Sequence, residues 1–162
     1  MKTNLAARRP VRGPLRILLR LPIWLYRLRL GWLLGDRFLM LTHTGRRSGL
    51  TRRSVLEVVG ENAMAGAYSV AAGWGERSDW FRNIQKNPQV VVDVGRRRFE
   101  ATAERMSEVE AELAFRDYAR RHPWAFRNLG RVMTGQRLAG REDDYRKLAR
   151  SIPLITLRPK PA

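Results

Sequence analysis

Four guanidinium groups fall within one short stretch of this chain, at Arg46, Arg47, Arg52 and Arg53, and two glycines, Gly45 and Gly49, bound the turn among them. Planar forks of this kind match phosphate and carboxylate oxygens two at a time. Ser48, Ser54 and the exposed amides of a turn can complete an anion nest. Neighbouring cations repel one another unless something negative joins them. The segment therefore reads as a seat for an anionic ligand, and the alternative reading is a solvated basic hairpin. No Gly-Lys-Ser/Thr follows a glycine at the spacing of a Walker-type loop, which excludes that phosphate cradle.

The elements around the segment must hold it rigidly. Phe38 to Thr44 is β-prone, and a strand resumes from Arg53 to Val59, so the basic run connects two strands. Further strands are predicted at Ala67 to Ala72, Gln89 to Val94 and Arg97 to Glu104, the last two forming a hairpin at Gly95. Ser78 to Gln85 reads as a short helix capped by Ser78 and ended by Asn87-Pro88. Ser107 and Glu110 form a capping-box pattern for a helix from Glu108 to Arg121. A helix after Pro123, a short helix after the acidic run Glu142-Asp143-Asp144 and a closing strand from Pro153 to Leu157 complete the chain. The pattern predicts a mainly β, α+β protein: a small barrel with peripheral helices, not a doubly wound sheet.

The chain has 162 residues and a formal charge of +17. That length suits one globular domain of ordinary size. Without cysteine there is no disulfide or thiolate nucleophile, and only His43 and His122 could supply imidazole, so no metal centre is expected. The absence of cysteine fits a cytoplasmic protein. A sequence pI near 11.6 draws nucleic acid, anionic lipid and acidic small molecules alike. No helix-turn-helix, zinc finger or RNA-binding aromatic motif is present, so attraction to nucleic acid would be nonspecific.

Residues 1–34 contain no acidic side chain and interleave Arg16, Arg20, Arg27 and Arg29 with Trp24, Tyr26, Trp32 and aliphatic residues. This is a basic amphipathic helical segment, distinct from a domain at 35–162. Arginines break every apolar run well short of the roughly 20 residues that span a bilayer. The segment either lies on an anionic membrane surface, on the inner face of the plasma membrane, or packs on its own domain.

Three further motifs follow the basic turn in order: Val70-Ala71-Ala72-Gly73-Trp74-Gly75, Asp79-Trp80-Phe81-Arg82-Asn83-Ile84 with Asn87-Pro88, and Ile152-Pro153-Leu154. Together with Thr42 to Gly49 the set resembles the deazaflavin-dependent nitroreductase family, whose members bind coenzyme F(420) in a split β-barrel related to the FMN-binding split barrels. The resemblance covers Leu34 to Pro159 and implies that Thr44, Gly45, Arg46, Arg47, Ser48, Gly49 and Arg52 grip the cofactor's phosphate and oligoglutamate tail. Ser54, where the family often has asparagine, contacts the cofactor or ends the loop. Ala71, Ala72, Gly73 and Trp74 would run beside the deazaflavin rings, and Asp79 and Trp80 would begin the helix next to them. Trp80 and Asn83 read equally well as core and cap. Gly73 and Trp74 depart from the Ser-Lys pair of some nitroimidazole-reducing members, which sets this chain apart from that substrate.

The activity implied is hydride transfer from reduced F(420) to a quinone, enone or nitroaromatic acceptor, with FMN as the alternative cofactor and a non-enzymatic basic binding protein as the alternative function. Thr44, Ser48, Ser54 and Tyr118 are the hydroxyls available to relay a proton, and none carries the signature of a general acid. Trp124 and Phe126 would cover the acceptor, or pack as ordinary core. Related split barrels are often dimeric, which makes a homodimer the expected assembly.

Overall fold

The structure is a computed structural model that describes residues 36–73, 75–134 and 138–161, with the backbone alone for 129–134. Trp74 and the amphipathic segment 1–34 lie outside the described residues.

Six strands, β1 (Phe38–Thr44), β2 (Thr51–Asn62), β3 (Ala67–Ala71), β4 (Gln89–Val94), β5 (Arg97–Arg105) and β6 (Leu154–Pro159), form a barrel closed in the order β1-β2-β3-β6-β5-β4. All six pairings are antiparallel. Closure leaves no free sheet edge. The barrel confirms the expected mainly β, split-barrel class with helices around it. Gly95, at φ +55°, turns β4 into β5 so that Val94 faces Arg97. An L side chain rarely adopts that backbone conformation.

The barrel is filled by the inward rows of its strands. Leu39 and Leu41 of β1, Val92 and Val94 of β4, and Ile155 and Leu157 of β6 are fully buried with Tyr68 and Val70 of β3. Alternation of period two puts each row on one face. Helix α1 (Asp79–Lys86) adds Trp80, Phe81 and Ile84 to this core.

A second core lies where α2 (Glu108–Arg121), α3 (Pro123–Thr134) and α4 (Glu142–Ser151) gather Phe115, Phe126, Tyr145 and Leu148 with Val59 and Leu154. The Ser107–Glu110 capping box forms: the Glu110 N–H donates to Ser107 Oγ at 3.3 Å, and the Ser107 N–H donates to Glu110 Oε2 at 2.8 Å. Ser78 also precedes a helix, and its carbonyl accepts from the Arg82 N–H at 3.1 Å, but its side chain caps no helix amide and its buried hydroxyl has no partner among the described residues.

The second strand starts earlier than its composition suggests. Arg52 pairs with His43 and Arg53 with Thr42, so two of the four clustered arginines stand on β2 and only Arg46 and Arg47 occupy the turn. Backbone pairing continues through charged residues as long as their side chains reach solvent, and both arginines are exposed.

Candidate functional site

The turn from Gly45 to Leu50 is closed by its own backbone. The Gly45 N–H donates to the Leu50 carbonyl at 2.8 Å, and the Gly49 N–H donates to the Gly45 carbonyl at 2.8 Å. Gly49 sits at φ +67°. A Cβ on Gly45 would meet Ser48 Oγ at 2.9 Å and the Leu50 carbonyl at 3.2 Å, so any side chain here would displace Ser48 and press on the closed turn.

Helix α1 clamps this turn from the side. Asn83 Oδ1 accepts from both the backbone N–H and Nη1 of Arg46, each at 3.0 Å. Arg46 Nη2 pairs with Asp79 Oδ1 at 2.9 Å, and Lys86 Nζ donates to the Arg46 carbonyl at 3.0 Å. Asn83 Nδ2 lies 3.1 Å from His43 Nδ1, and His43 Nε2 lies 3.2 Å from Ser54 Oγ. A continuous chain of bonds thus joins Asp79, Arg46, Asn83, His43 and Ser54. His43 and Asn83 are buried. Burial, reinforced by the Arg52 guanidinium, pulls the imidazole from its usual 6.5 down to about 4, which leaves it neutral near pH 7.

These residues border a cavity of about 450 Å³, lined by His43, Gly45, Arg46, Arg47, Ser48, Arg52, Arg53, Ser54, Asp79, Trp80 and Asn83. Of its four arginines, Arg46 is paired with Asp79. Arg47, Arg52 and Arg53 have no carboxylate partner among the described residues. Three exposed guanidinium forks around a concave wall with Ser48 and Ser54 can bind phosphate or carboxylate oxygens.

Of the residues named for cofactor contact, Gly45, Arg46, Arg47, Ser48, Arg52, Ser54, Asp79 and Trp80 line this one cavity. Thr44 and Gly49 belong to the same strand end and turn but do not line the cavity. Ala71, Ala72 and Gly73 also lie off it. The Ala72 N–H is taken by the Pro153 carbonyl and the Gly73 N–H by the Ala71 carbonyl. Tyr118 is buried in the helical core, where its hydroxyl donates to Glu57 Oε1 at 3.0 Å. Burial and the Glu57 carboxylate push that phenol above the ordinary tyrosine range. Phe126 packs against Tyr145 in the same core, with ring centroids 5.5 Å apart, while Trp124 is exposed. Neither reaches the cavity, because α3 lies with α2 and α4 over the outer face of the barrel.

No sequence motif marks His43 for the site, and Asn83 suits core and cap equally. A signal for His43 existed: it follows Leu39 and Leu41 on the inward row of β1, so an imidazole was bound to sit at the end of the barrel core beside the arginines.

The profile of the F(420)H(2)-dependent quinone reductase family matches residues 20–132. No curated protein matches the chain in sequence. Among solved structures, an F(420)-H(2) dependent reductase is 23% identical, with a TM-score of 0.54, over 76% of this chain and 96% of its own. A structure described as a domain-swapped dimer is 22% identical, with a TM-score of 0.54, over 85% of this chain and 99% of its own. A pyridoxamine 5'-phosphate oxidase-related, FMN-binding protein from Nostoc punctiforme is 17% identical, with a TM-score of 0.54, over 91% of this chain and 81% of its own. At these identities the likeness to the solved structures is one of fold.

Proposed function

The chain belongs to the F(420)H(2)-dependent quinone reductase family and is an oxidoreductase, and we propose that it passes a hydride from reduced coenzyme F(420) to a quinone, with enones and nitroarenes as acceptors of the same electron-poor kind. The observation that carries this reading is the set Arg47, Arg52 and Arg53, three cations lining one cavity without a carboxylate partner among the described residues.

The donor chemistry suits the cofactor. F(420) carries a phosphodiester and an oligoglutamate tail, and FMN carries a phosphate but no tail carboxylates. Three unpaired forks beyond the clamped Arg46 exceed what a single phosphate needs. In this reading Arg47, Arg52 and Arg53 bind the phosphate and tail, Ser48 and Ser54 add hydroxyl contacts, and Trp80 and Asp79 hold the wall at the start of α1.

When bound, the reduced deazaflavin supplies the hydride from its ring carbon five. The work of the chain's own residues is to bind, orient and shield. Arg46 contributes by holding the turn to α1 through Asp79 and Asn83, which keeps its neighbour Arg47 on the cavity wall. Ser48 and Ser54 are the proton-relay candidates that border the cavity, whereas Tyr118 is engaged with Glu57. A second copy of this chain and an anionic membrane surface met through residues 1–34 are the partners we assign, the membrane bringing the barrel to lipid-dissolved quinones. Among the described residues no helix is long and apolar enough to cross a membrane.

Titration of the full chain with F(420) and with FMN at moderate salt, followed by fluorescence, tests the reading. Selective binding of F(420), tighter for longer tails, is the expected outcome. Preference for FMN overturns the cofactor assignment, and binding of neither overturns the reductase reading and leaves charge-driven association with lipid or nucleic acid.

A further inference from the structure

We infer that Ser54 is a directed hydroxyl donor to an acceptor oxygen of the ligand in this cavity, and that His43 and Asn83 are positioning residues that aim its proton. The inference rests on the deazaflavin reading for the identity of that ligand.

The direction follows from donor and acceptor chemistry along one chain of bonds. The Arg46 backbone N–H and Nη1 are obligate donors, and both point at the same side-chain atom of Asn83. That atom must be the carbonyl oxygen, because an NH₂ group there would face two other donors. With Oδ1 so engaged, the opposite side of the amide is NH₂, and it donates to His43 Nδ1. A ring nitrogen that accepts carries no proton, so the neutral imidazole must hold its hydrogen on Nε2. Nε2 therefore donates to Ser54 Oγ. The serine oxygen now receives a hydrogen bond, and its own proton meets no acceptor among the described residues. Ser54 borders the cavity, so that proton is offered to whatever occupies it.

Charge enforces the same arrangement. An imidazolium would donate from both nitrogens and drive the Asn83 NH₂ toward the Arg46 guanidinium and N–H. Arg52, paired with His43 across β1 and β2, opposes the same charge. Arg46 is thus more than a fastening for the turn: its two donors orient Asn83, which orients His43, which orients Ser54. A directed hydroxyl in a cavity of cations prefers an oxygen acceptor such as a phosphate, carboxylate or ring carbonyl.

Two measurements test the relay. The chain holds two histidines, so His122→Gln leaves a single imidazole for nitrogen-15 NMR of the full-length protein. A neutral ring protonated at Nε2 near pH 7 is expected; an Nδ1–H ring, or an imidazolium, overturns the relay whatever the ligand. The second is titration with F(420). Ser54→Ala should weaken binding roughly three- to tenfold, the range of one neutral hydrogen bond. Ser54→Thr should restore it to within about twofold, because the hydroxyl remains. His43→Phe should reproduce the Ser54→Ala loss, and the double variant should lose no more than either single one. Additive losses, or full binding by Ser54→Ala, overturn the inference. Where His43→Phe fails to fold, as judged by its thermal transition, the serine pair and the NMR spectrum decide. A wild-type chain that binds no F(420) defeats the proposed function instead, and the imidazole spectrum still decides the relay.

Discussion

Arginine does different work at the two sides of this barrel. Over the helical layer four guanidinium groups are paired: Arg116 with Glu112 and Glu142, Arg121 with Asp117, Arg146 with Glu112 and Asp143, and Arg150 with Glu108, while Arg120 and Arg127 stand singly without a carboxylate partner among the described residues. At the cavity the unpaired groups are gathered: Arg46 is paired, and Arg47, Arg52 and Arg53 line one cavity without a carboxylate among the described residues. A net charge of +17 therefore says little about where a ligand binds. Local pairing says more, since paired surface charges cancel within a Debye length and unpaired ones project a field into the cavity.

The largest effect should come from removing the unpaired cations. Arg47→Ala, Arg52→Ala and Arg53→Ala together are expected to weaken F(420) binding by about 4 kcal/mol, near a thousandfold, in a fluorescence titration. Arg146→Ala with Arg150→Ala should change binding less than about twofold and stability by less than about 1 kcal/mol, because exposed ion pairs contribute little. Equal losses from the two sets would erase the contrast between the two sides.

Next in size is the helical core. Phe115 is fully buried there, and Phe115→Ala should cost about 3 to 4 kcal/mol in denaturant unfolding. The contrast predicts that the folded fraction keeps its F(420) affinity, since no residue of that core lines the cavity. Loss of affinity in the folded variant would show that the helical layer shapes the site.

A pH series probes the cavity side alone. The folded imidazole of His43 is depressed to about 4 from an ordinary 6.5. Between those values the unfolded chain takes up a proton that the folded chain refuses, so stability falls as pH drops through the window and levels off below it. The expected loss is roughly 2 kcal/mol, less than the full linkage because the ring borders an open cavity. His43→Phe should remove this part of the slope in unfolding measured from pH 7 to pH 4. An unchanged slope would place the imidazole in a more solvated setting than its burial implies.

The smallest effect belongs to the start of α2. Ser107→Ala removes the acceptor for the Glu110 N–H and should cost about 1 kcal/mol in stability, with cofactor affinity unaltered.

Much of this organisation was legible before any coordinates. Short β-prone apolar runs bounded by turn residues located β1, β4 and β6, the Ser107–Glu110 spacing located the start of α2, and Gly95 located the hairpin, because each signal is local. The basic turn was equally legible, down to the two glycines, Gly45 and Gly49, that bound it. Its subdivision was not. Whether Arg46 or Arg47 faces a ligand depends on Asp79 and Asn83, which lie 33 and 37 residues further along the chain. Phe126 illustrates the same limit. An aromatic residue on an amphipathic helix suits a lid or a core equally, and only the docking of α3 beside α2 and α4 puts it against Tyr145.

By itself, then, the sequence determined the ingredients of an anionic-ligand seat: guanidinium groups in excess, glycines where a side chain would clash or strain the turn, and strands on either side to hold it. Tertiary structure decided which of those groups are spent on the fold and which remain to meet a ligand. The physical reason is that a charge is neutralised by whatever lies within a few ångströms, and closing the barrel brought α1 to Arg46 while leaving Arg47, Arg52 and Arg53 without an anion among the described residues.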